Sequence, residues 1–329
     1  RLGFGSQFSI SSPVQFGASS WTSVSAGVYH SAAIRSDGKL FTWGLGNNGQ
    51  LGDGTTVNKS SPVQIGTSSW TAVSIGHSAG AAIRSDGALF TWGDNSNGQL
   101  GTNLTPPGNT FSPEIIGNLP LLTTQSSPVQ IGLSSWTAVS AGRSHTAAVR
   151  SDGLLFTWGL GTSGQLGDGT AVTKSSPVQI GSSSWTAVNA GNAHTAAVRS
   201  DGLLFTWGNN NSSNLGDGTI TTRSSPVQIG SSSWTSVSAG NQFTAAIRSD
   251  GLLFTWGAGT SGQLGDGTTV NKSSPVQIGN NALLFSLLPI QVGTSSWTIA
   301  SAGGAHTAAI RSDGVLYTWG QGRCGRVGA

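Results

Sequence analysis

The sequence predicts an all-β propeller of six four-stranded blades, and two observations support this prediction. One segment recurs six times at intervals of 49, 66, 49, 49 and 63 residues, and its first tryptophan is at Trp21, Trp70, Trp136, Trp185, Trp234 and Trp297. A fixed period of this length is typical of propellers and solenoids. Residues 1–3 and 326–328 both match the Gln-Leu-Gly of the repeat, and if Leu2 and Val327 are counted as one position, the sixth interval is again 49 residues. A period that returns to its start favours a closed ring.

Each copy contains four strand candidates separated by glycine-rich turns. In the third copy they are residues 136–140, 146–150, 154–158 and 177–180. The second and third candidates are joined by Arg-Ser-Asp-Gly, which predicts a tight hairpin turn, because Gly153 can adopt a positive φ and Asp152 can bond its own main chain. Every copy therefore predicts one antiparallel blade.

The third strand candidate explains why the blades stack. Its alternate residues Leu154, Phe156 and Trp158 point to one face and present a large apolar surface to a neighbouring sheet. A single blade cannot bury both of its faces, whereas blades arranged around an axis can. Each buried tryptophan then contributes about 2–3 kcal/mol. We expect a propeller with short, protected edges.

The repeat spans nearly the whole chain, so residues 1–329 are expected to form a single propeller domain. In this ring, residues 12–16 (Ser-Pro-Val-Gln-Phe) supply the fourth strand to a blade whose other strands come from residues 297–319. This pairing of N- and C-terminal strands would close the propeller. The two long intervals predict outer insertions near residues 118–132 and 280–293, which would project from opposite sides of the ring.

The charge pattern limits the classes of partner. Charged residues make up 8% of the chain, against about a quarter in an average protein. Six arginines and six aspartates belong to the Arg-Ser-Asp-Gly turns, and the other charges are scattered. Because binding to phosphates needs clustered Lys and Arg, nucleic acid is not expected as a partner. No apolar run is long enough to span a bilayer, so membrane insertion is not expected.

The sequence predicts no enzyme, no cofactor and no metal site. It has no Gly-x-Ser-x-Gly elbow, and Glu114 is its only glutamate, so paired-carboxylate chemistry is disfavoured. One register position of the repeat carries histidine in four copies, but Ala79 and Phe243 occupy it in the other two, which favours a packing role; the histidines are His30, His145, His194 and His306.

Two sets of residues are candidates for binding. The insertions are apolar and each repeats the outer strand, so we expect them to contact protein partners or neighbouring subunits through Leu121, Leu122, Leu283, Leu284, Phe285, Leu287 and Leu288. The alternative is simple loop insertion. The second set lies at variable loop tips that should cluster on one ring face: Tyr29, His77, Arg143, Asn192, Asn241 and Gln242. The alternative for these tips is unconstrained solvent exposure.

Four submotifs recur in fixed order: Ala-Gly-x-x-His-Thr-Ala-Ala, Asp-Gly, Phe-Thr-Trp-Gly and Gly-Gln-Leu-Gly. Together they resemble the repeat of the regulator of chromosome condensation family over essentially the whole chain. The resemblance implies a propeller, and the family archetype has seven blades and acts as a nucleotide-exchange factor for the GTPase Ran while touching chromatin. This chain differs in having six copies and few charges, and no functional residue of the family is matched. The near-identical, Gly/Ser/Thr-rich copies also resemble repeats of this type in phage and bacterial surface proteins.

The leading hypothesis from the sequence is a non-enzymatic structural or adhesive module on a virion, such as a phage tail, fibre or capsid decoration, or on a cell surface. Its location would then be extracellular. Loops rich in Gly, Asn and Ser suit hydrogen bonds to sugars, so surface glycans are a further candidate partner. The alternative is an intracellular regulator of the chromosome condensation type, a guanine-nucleotide exchange factor or chromatin-binding protein in the cytoplasm or nucleus.

Overall fold

The computed structural model describes residues 18–103, 124–279 and 296–321. All regular secondary structure in this part of the chain is β, and none of it forms a helix that could cross a membrane. The strands are β1 Trp21–Ala26, β2 His30–Arg35, β3 Leu40–Gly44, β4 Lys59–Gln64, β5 Trp70–Ile75, β6 Ala79–Arg84, β7 Ala88–Asp94, β8 Thr124–Ala141, β9 His145–Arg150, β10 Leu154–Gly159, β11 Lys174–Ala190, β12 His194–Arg199, β13 Leu203–Gly208, β14 Arg223–Ala239, β15 Phe243–Arg248, β16 Leu253–Gly257, β17 Lys272–Gln277, β18 Trp297–Ala302, β19 His306–Arg311 and β20 Leu316–Gly320.

The strands form repeated antiparallel blades of four, as the sequence predicts. Three long strands, β8, β11 and β14, each serve two blades. In β11, for example, Gln179 pairs with Phe156 of the third blade, and Trp185 pairs with Arg199 of the fourth. The outer strand of one blade thus continues into the inner strand of the next. Strand β11 begins at Lys174 rather than at the predicted residue 177, because Lys174 pairs with Gly159 of β10 and so extends the strand.

The hairpin turn between the second and third strands is confirmed in the third blade. Gly153 has a φ of +86° and its N–H donates to the Arg150 carbonyl (2.9 Å). The Asp152 carboxylate accepts the Leu154 N–H (3.2 Å) and pairs with Arg150 (2.6 Å). Glycine and aspartate are both required by the turn, which accounts for their recurrence in every copy.

Adjacent blades bury a separate apolar cluster at each joint. Between the third and fourth blades, Leu155 and Ile180 pack against Trp185 and Trp207, and all four are at most 6% exposed. The alternation predicted for this strand is observed: Leu155 is fully buried toward the next blade, whereas Leu154 is half-buried. Phe156 and Trp158 face the preceding blade. Both faces of the strand are therefore covered.

An aromatic stack inside each blade orders the inner tryptophan. In the fourth blade, the Trp185 ring meets the Phe205 ring edge-on, with centroids 5.4 Å apart. The Arg199 guanidinium lies 4.8 Å from the centroid of the same phenyl ring. The cation–π contact ties the hairpin turn to the apolar cluster. The same three positions are stacked in all six copies, with Tyr317 replacing phenylalanine in the last.

Polar groups also join the blades, through one backbone carbonyl of the Gly-Gln-Leu-Gly loop. The buried Gln165 carbonyl of the third blade accepts the Trp207 indole N–H (3.0 Å) and the Thr195 hydroxyl (2.8 Å) of the fourth. Gln99, Asn214 and Gln263 receive equivalent pairs of bonds. We call this arrangement the carbonyl joint. It fixes the orientation of each tryptophan with its N–H satisfied.

The first joint departs from the pattern. Gly80 stands where the other blades have threonine or serine, and a Cβ there would lie 2.5 Å from the Trp92 ring. Trp92 still donates to the Gln50 carbonyl (2.9 Å), so the indole half of the joint is retained. The tryptophan ring occupies the space of the missing side chain.

Closure of the ring and the two insertions stay predictions. Residues 12–16, 118–123 and the whole second insertion, 280–293, lie outside the described residues, and so do Leu121, Leu122, Leu283, Leu284, Phe285, Leu287 and Leu288. At the end of the described chain, Leu316 is 58% exposed, whereas its counterpart Leu40 in the first blade is fully buried by the second. The surface of Leu316 is where a closing strand would pack.

Replacing Thr195 by valine should destabilise the protein by about 1–3 kcal/mol, because the buried Gln165 carbonyl loses a donor while the apolar volume is kept. The exposed Thr186, whose hydroxyl donates to the Val198 carbonyl (3.3 Å), provides the control. Thr186→Val should change stability by about 0.5 kcal/mol or less. Urea unfolding followed by tryptophan fluorescence measures both variants. Equal losses of stability would show that the threonine bond of the carbonyl joint contributes no more than an exposed side-chain hydrogen bond.

Candidate binding face

The turns that join the first two strands of each blade form the candidate site. They comprise residues 27–30, 76–79, 142–145, 191–194, 240–243 and 303–306, and we call them the inner turns. In the fourth blade, the Gly191 N–H donates to the His194 carbonyl (2.9 Å), which leaves Asn192 and Ala193 at the tip. The Asn192 N–H donates to the Gly240 carbonyl of the next inner turn (3.2 Å). Neighbouring tips are thus bonded through their backbones.

Close approach of the inner turns explains their leading glycine. A Cβ on Gly191 would lie 2.7 Å from the Gly240 carbonyl oxygen, and one on Gly76 would lie 2.2 Å from that of Gly142. Real Cβ atoms do not come this close to a backbone oxygen, so only glycine permits the contact. The tip residues that follow are consequently held against one another from blade to blade.

The structure brings three of the predicted loop-tip residues together. Arg143 Nη1 donates to Asn192 Oδ1 (3.4 Å), and Asn192 Nδ2 donates to Asn241 Oδ1 (2.5 Å). The three side chains come from three successive blades and are exposed or half-buried. We call this chain of side chains the tip ladder. Sequence alone placed these residues on one face, and the structure adds that they are hydrogen-bonded across the joints.

Two further predicted residues meet beside the ladder. The Tyr29 and His77 rings lie edge to face with centroids 5.5 Å apart, and His77 Nδ1 is 2.9 Å from the Ser78 hydroxyl. Burial, and then the charge of Arg143, lower the pKa of His77, while Asp94 raises it. His77 is therefore mainly neutral at physiological pH. Gln242, the last predicted residue, is exposed next to Asn241, and its carbonyl accepts the Ala258 N–H (2.9 Å).

The loops between the third and fourth strands reach the same face, which the sequence analysis did not recognise. The Leu160 N–H donates to the Ser144 carbonyl (2.8 Å), and the Asn209 N–H to the Ala193 carbonyl (2.8 Å). After its Asp-Gly turn, each of four loops exposes one branched aliphatic side chain by 56–69%: Val57, Val172, Ile220 and Val270. Their recurrence in the copies after Asp-Gly-Thr was a signal available in the sequence.

The charges of the blades are neutralised locally, with one exception among the arginines of the described chain. Arg199 pairs with Asp201 (2.6 Å) in a hairpin turn, and Arg223 pairs with Asp217 (2.9 Å) beside an outer strand. Equivalent ion pairs recur from blade to blade. Arg143 alone of the arginines in residues 18–103, 124–279 and 296–321 has no carboxylate partner. The candidate face thus carries an unneutralised guanidinium.

His145 and His194, at the start of the second strands of their blades and below the tips, are held by packing and hydrogen bonds. Thr195 donates its hydroxyl proton to Gln165, so the 2.9 Å contact with His145 Nε2 requires the histidine to donate from that nitrogen. His194 Nε2 contacts Thr244 in the same way (3.0 Å). Burial lowers the pKa of His145 to about 4 and, with the charge of His145, that of His194 to about 3. Within the described ranges, no three His, Cys, Asp or Glu side chains are grouped to hold a metal ion.

Replacing Gly191 by alanine should destabilise the protein by about 1–3 kcal/mol, because the new Cβ overlaps the Gly240 carbonyl. Gly304→Ala is the matched control, since a Cβ on this inner-turn glycine would meet nothing within 4 Å. We expect the control to unfold at the wild-type temperature in a calorimetric scan. A similar loss in both variants would indicate that turn flexibility, and not the spacing of the blades, is what glycine provides.

Replacing His194 by phenylalanine should flatten the dependence of stability on pH. A histidine whose folded-state pKa lies below its ordinary value of 6.5 stabilises the fold fully above pH 6.5, and this contribution is lost as the pH falls toward about 3. The variant should therefore lose about 2 kcal/mol less than wild type between pH 7.5 and pH 4.5. Phenylalanine fits this register, because Phe243 occupies it fully buried. Urea unfolding at the two pH values tests this, and parallel losses would contradict it.

A family model described as the RCC1-like domain matches residues 1–329. No curated protein matches the chain at the level of sequence. The match confirms the family resemblance seen in the repeat and the all-β propeller class.

Solved structures share the fold at low sequence identity. Human WBSCR16 superposes with a TM-score of 0.77 at 21% identity over 95% of this chain and 79% of its own. Yeast RCC1 (Prp20), in a structure with Kap60, gives 0.75 at 19% identity over 94% of this chain and 71% of its own. Prp20p from Saccharomyces cerevisiae, described with its binding to Gsp1p and histones, gives 0.68 at 20% identity over 86% and 67%.

Proposed function

Since the chain belongs to the family of RCC1-like domains, we propose that it is a non-catalytic protein-binding propeller whose partner docks on the face of the inner turns. The tip ladder is the observation that supports this proposal. The blades repeat the same scaffold residues in almost every copy, whereas the tip position varies over the six copies. Arg143, Asn192 and Asn241 occupy it in three successive blades and form one connected polar surface. Variable residues held by a rigid scaffold are the usual basis of recognition.

The exposed aliphatic residues around the ladder suit a protein partner. Val57, Val172, Ile220 and Val270 offer apolar contacts, and the ladder offers hydrogen bonds that fix register. Protein interfaces combine apolar and polar contacts in this way. A partner that spans several blades would bury both kinds of group at once.

The likeness to yeast RCC1 favours an intracellular regulator over a virion or cell-surface module. One structure shows yeast RCC1 bound to Kap60, and another describes Prp20p with its binding to Gsp1p and histones. We therefore propose a GTPase or a chromatin protein as the partner, with a location in the cytoplasm or nucleus. None of the three neighbours named above is described with a virion, a phage or a glycan.

The partner class and the face can be tested together by pull-down at physiological salt with purified Gsp1p and core histones. We expect the wild-type chain to retain one of them, and the double variant Asn192→Ala/Asn241→Ala to lose at least tenfold in affinity, because two hydrogen-bonding groups of the interface are removed. The control is Ser200→Ala/Ser249→Ala, which changes exposed hairpin-turn residues in the same two blades at the other end of the strands.

Two results would contradict the proposal. If neither protein is retained by the wild-type chain, the intracellular regulator is the wrong class. If the partner is retained equally by both double variants, the inner turns are not the interface.

A further inference from the structure

Most charges of the described blades are neutralised in ion pairs, and Arg143 is the one described arginine without a carboxylate partner. In the hairpin turns, arginine is held by the aspartate two residues later, as in Arg199 and Asp201 (2.6 Å). Beside the outer strands, a Lys or Arg is held by the aspartate of the preceding loop, as in Lys174 and Asp168 (3.5 Å). Arg143 follows neither arrangement, and its side chain contacts the amide oxygen of Asn192 instead.

One acidic side chain, Asp94, also acts on this region, because its charge raises the pKa of His77, but it is held within its own loop and does not pair with Arg143. Asp94 accepts the Ser96 N–H (3.0 Å), the Ser96 hydroxyl (3.0 Å) and the Gln99 amide (2.9 Å) within its own loop. The positive field of Arg143 is felt by His77, whose pKa it lowers. Among the described residues, no carboxylate forms an ion pair with this guanidinium, which is exposed on the candidate face.

The backbone and the ladder hold Arg143 in place while leaving most of its donors available. Its main-chain N–H is fixed to the Gly191 carbonyl (3.2 Å), and one Nη1 hydrogen is directed to Asn192 (3.4 Å). A guanidinium has five N–H donors in a rigid fork, so the others face solvent in an exposed residue. A carboxylate can accept two of them side by side.

We propose that Arg143 is the anchor for a carboxylate of an acidic segment on the protein partner. The inference rests on the proposed function and adds the chemistry of the partner's contact. The tip ladder extends the site, because Asn192 donates to Asn241 and the far end therefore presents the Asn241 amide NH₂ to a neighbouring carbonyl or carboxylate. A nucleic-acid backbone fits less well, since its binding depends on several clustered cations and the ladder has one.

Fluorescence anisotropy with the full chain and a labelled hexaglutamate peptide tests the anchor. We expect salt-dependent binding that falls at least tenfold in Arg143→Gln, because glutamine keeps a hydrogen bond to Asn192 but removes the charge. Arg143→Glu should reverse the preference from hexaglutamate to hexalysine. The control is Lys39→Gln, which lowers the net charge equally at a hairpin turn, where the Lys39 ammonium donates to the Thr67 carbonyl (2.5 Å). It should bind within twofold of wild type.

Three outcomes would overturn the anchor. The first is equal affinity of Arg143→Gln and Lys39→Gln for hexaglutamate. The second is equally tight binding of a Gly-Ser hexapeptide, and the third is equally tight binding of a 20-nucleotide single-stranded DNA. A partner captured in the pull-down separates the two proposals. If Asn192→Ala/Asn241→Ala loses binding to this partner but Arg143→Gln keeps it, the anchor is wrong and the binding face stands. If both variants keep binding, the face itself is wrong.

Discussion

The architecture depends on a backbone carbonyl that, at four of the described joints, receives two hydrogen bonds from the next blade. At Gln165, the indole of Trp207 and the hydroxyl of Thr195 converge on the same oxygen. The indole N–H sets the angle at which the large ring enters the apolar cluster, and the threonine in turn accepts from His145. A buried carbonyl, a hydroxyl, the indole N–H and the His145 Nε2 are thereby satisfied in one place, which makes the contact cooperative. The spacing of the inner turns follows from it, because blades fixed at this distance bring glycine against a neighbouring carbonyl.

Much of the fold could be predicted from the sequence, because residues that recur in the six copies mark the positions that the blade requires. The blade, its hairpin turn and the family were evident from Gly153, Asp152 and the tryptophan spacing, all of which act through local geometry. The greater burial of Leu155 than of Leu154 was not predicted, since alternation fixes which residues share a face but not which side of a blade is packed more tightly. The carbonyl joint was not predicted, because backbone acceptors leave no mark on the sequence.

The candidate site shows the same division. Variation between the copies located Tyr29, His77, Arg143, Asn192, Asn241 and Gln242 correctly at loop tips. The contacts between these side chains depend on how far apart neighbouring blades lie, and the sequence pattern of one repeat does not give that distance. The lack of a carboxylate near Arg143 is likewise a property of the folded chain, because aspartates are frequent in every repeat. The sequence identified where the molecule varies, and the structure identified how the variable side chains are connected.

The long shared strands have a consequence for how such a ring can change in size. Because β11 ends one blade and begins the next, successive blades are joined within one strand and need no separate connecting loop. A duplication or loss of one 49-residue unit would therefore leave every strand with a partner, and would alter only the number of blades. Since each joint uses nearly the same atoms, its chemistry carries no information about blade number. Rings of different size can arise from one repeat without the invention of a new interface.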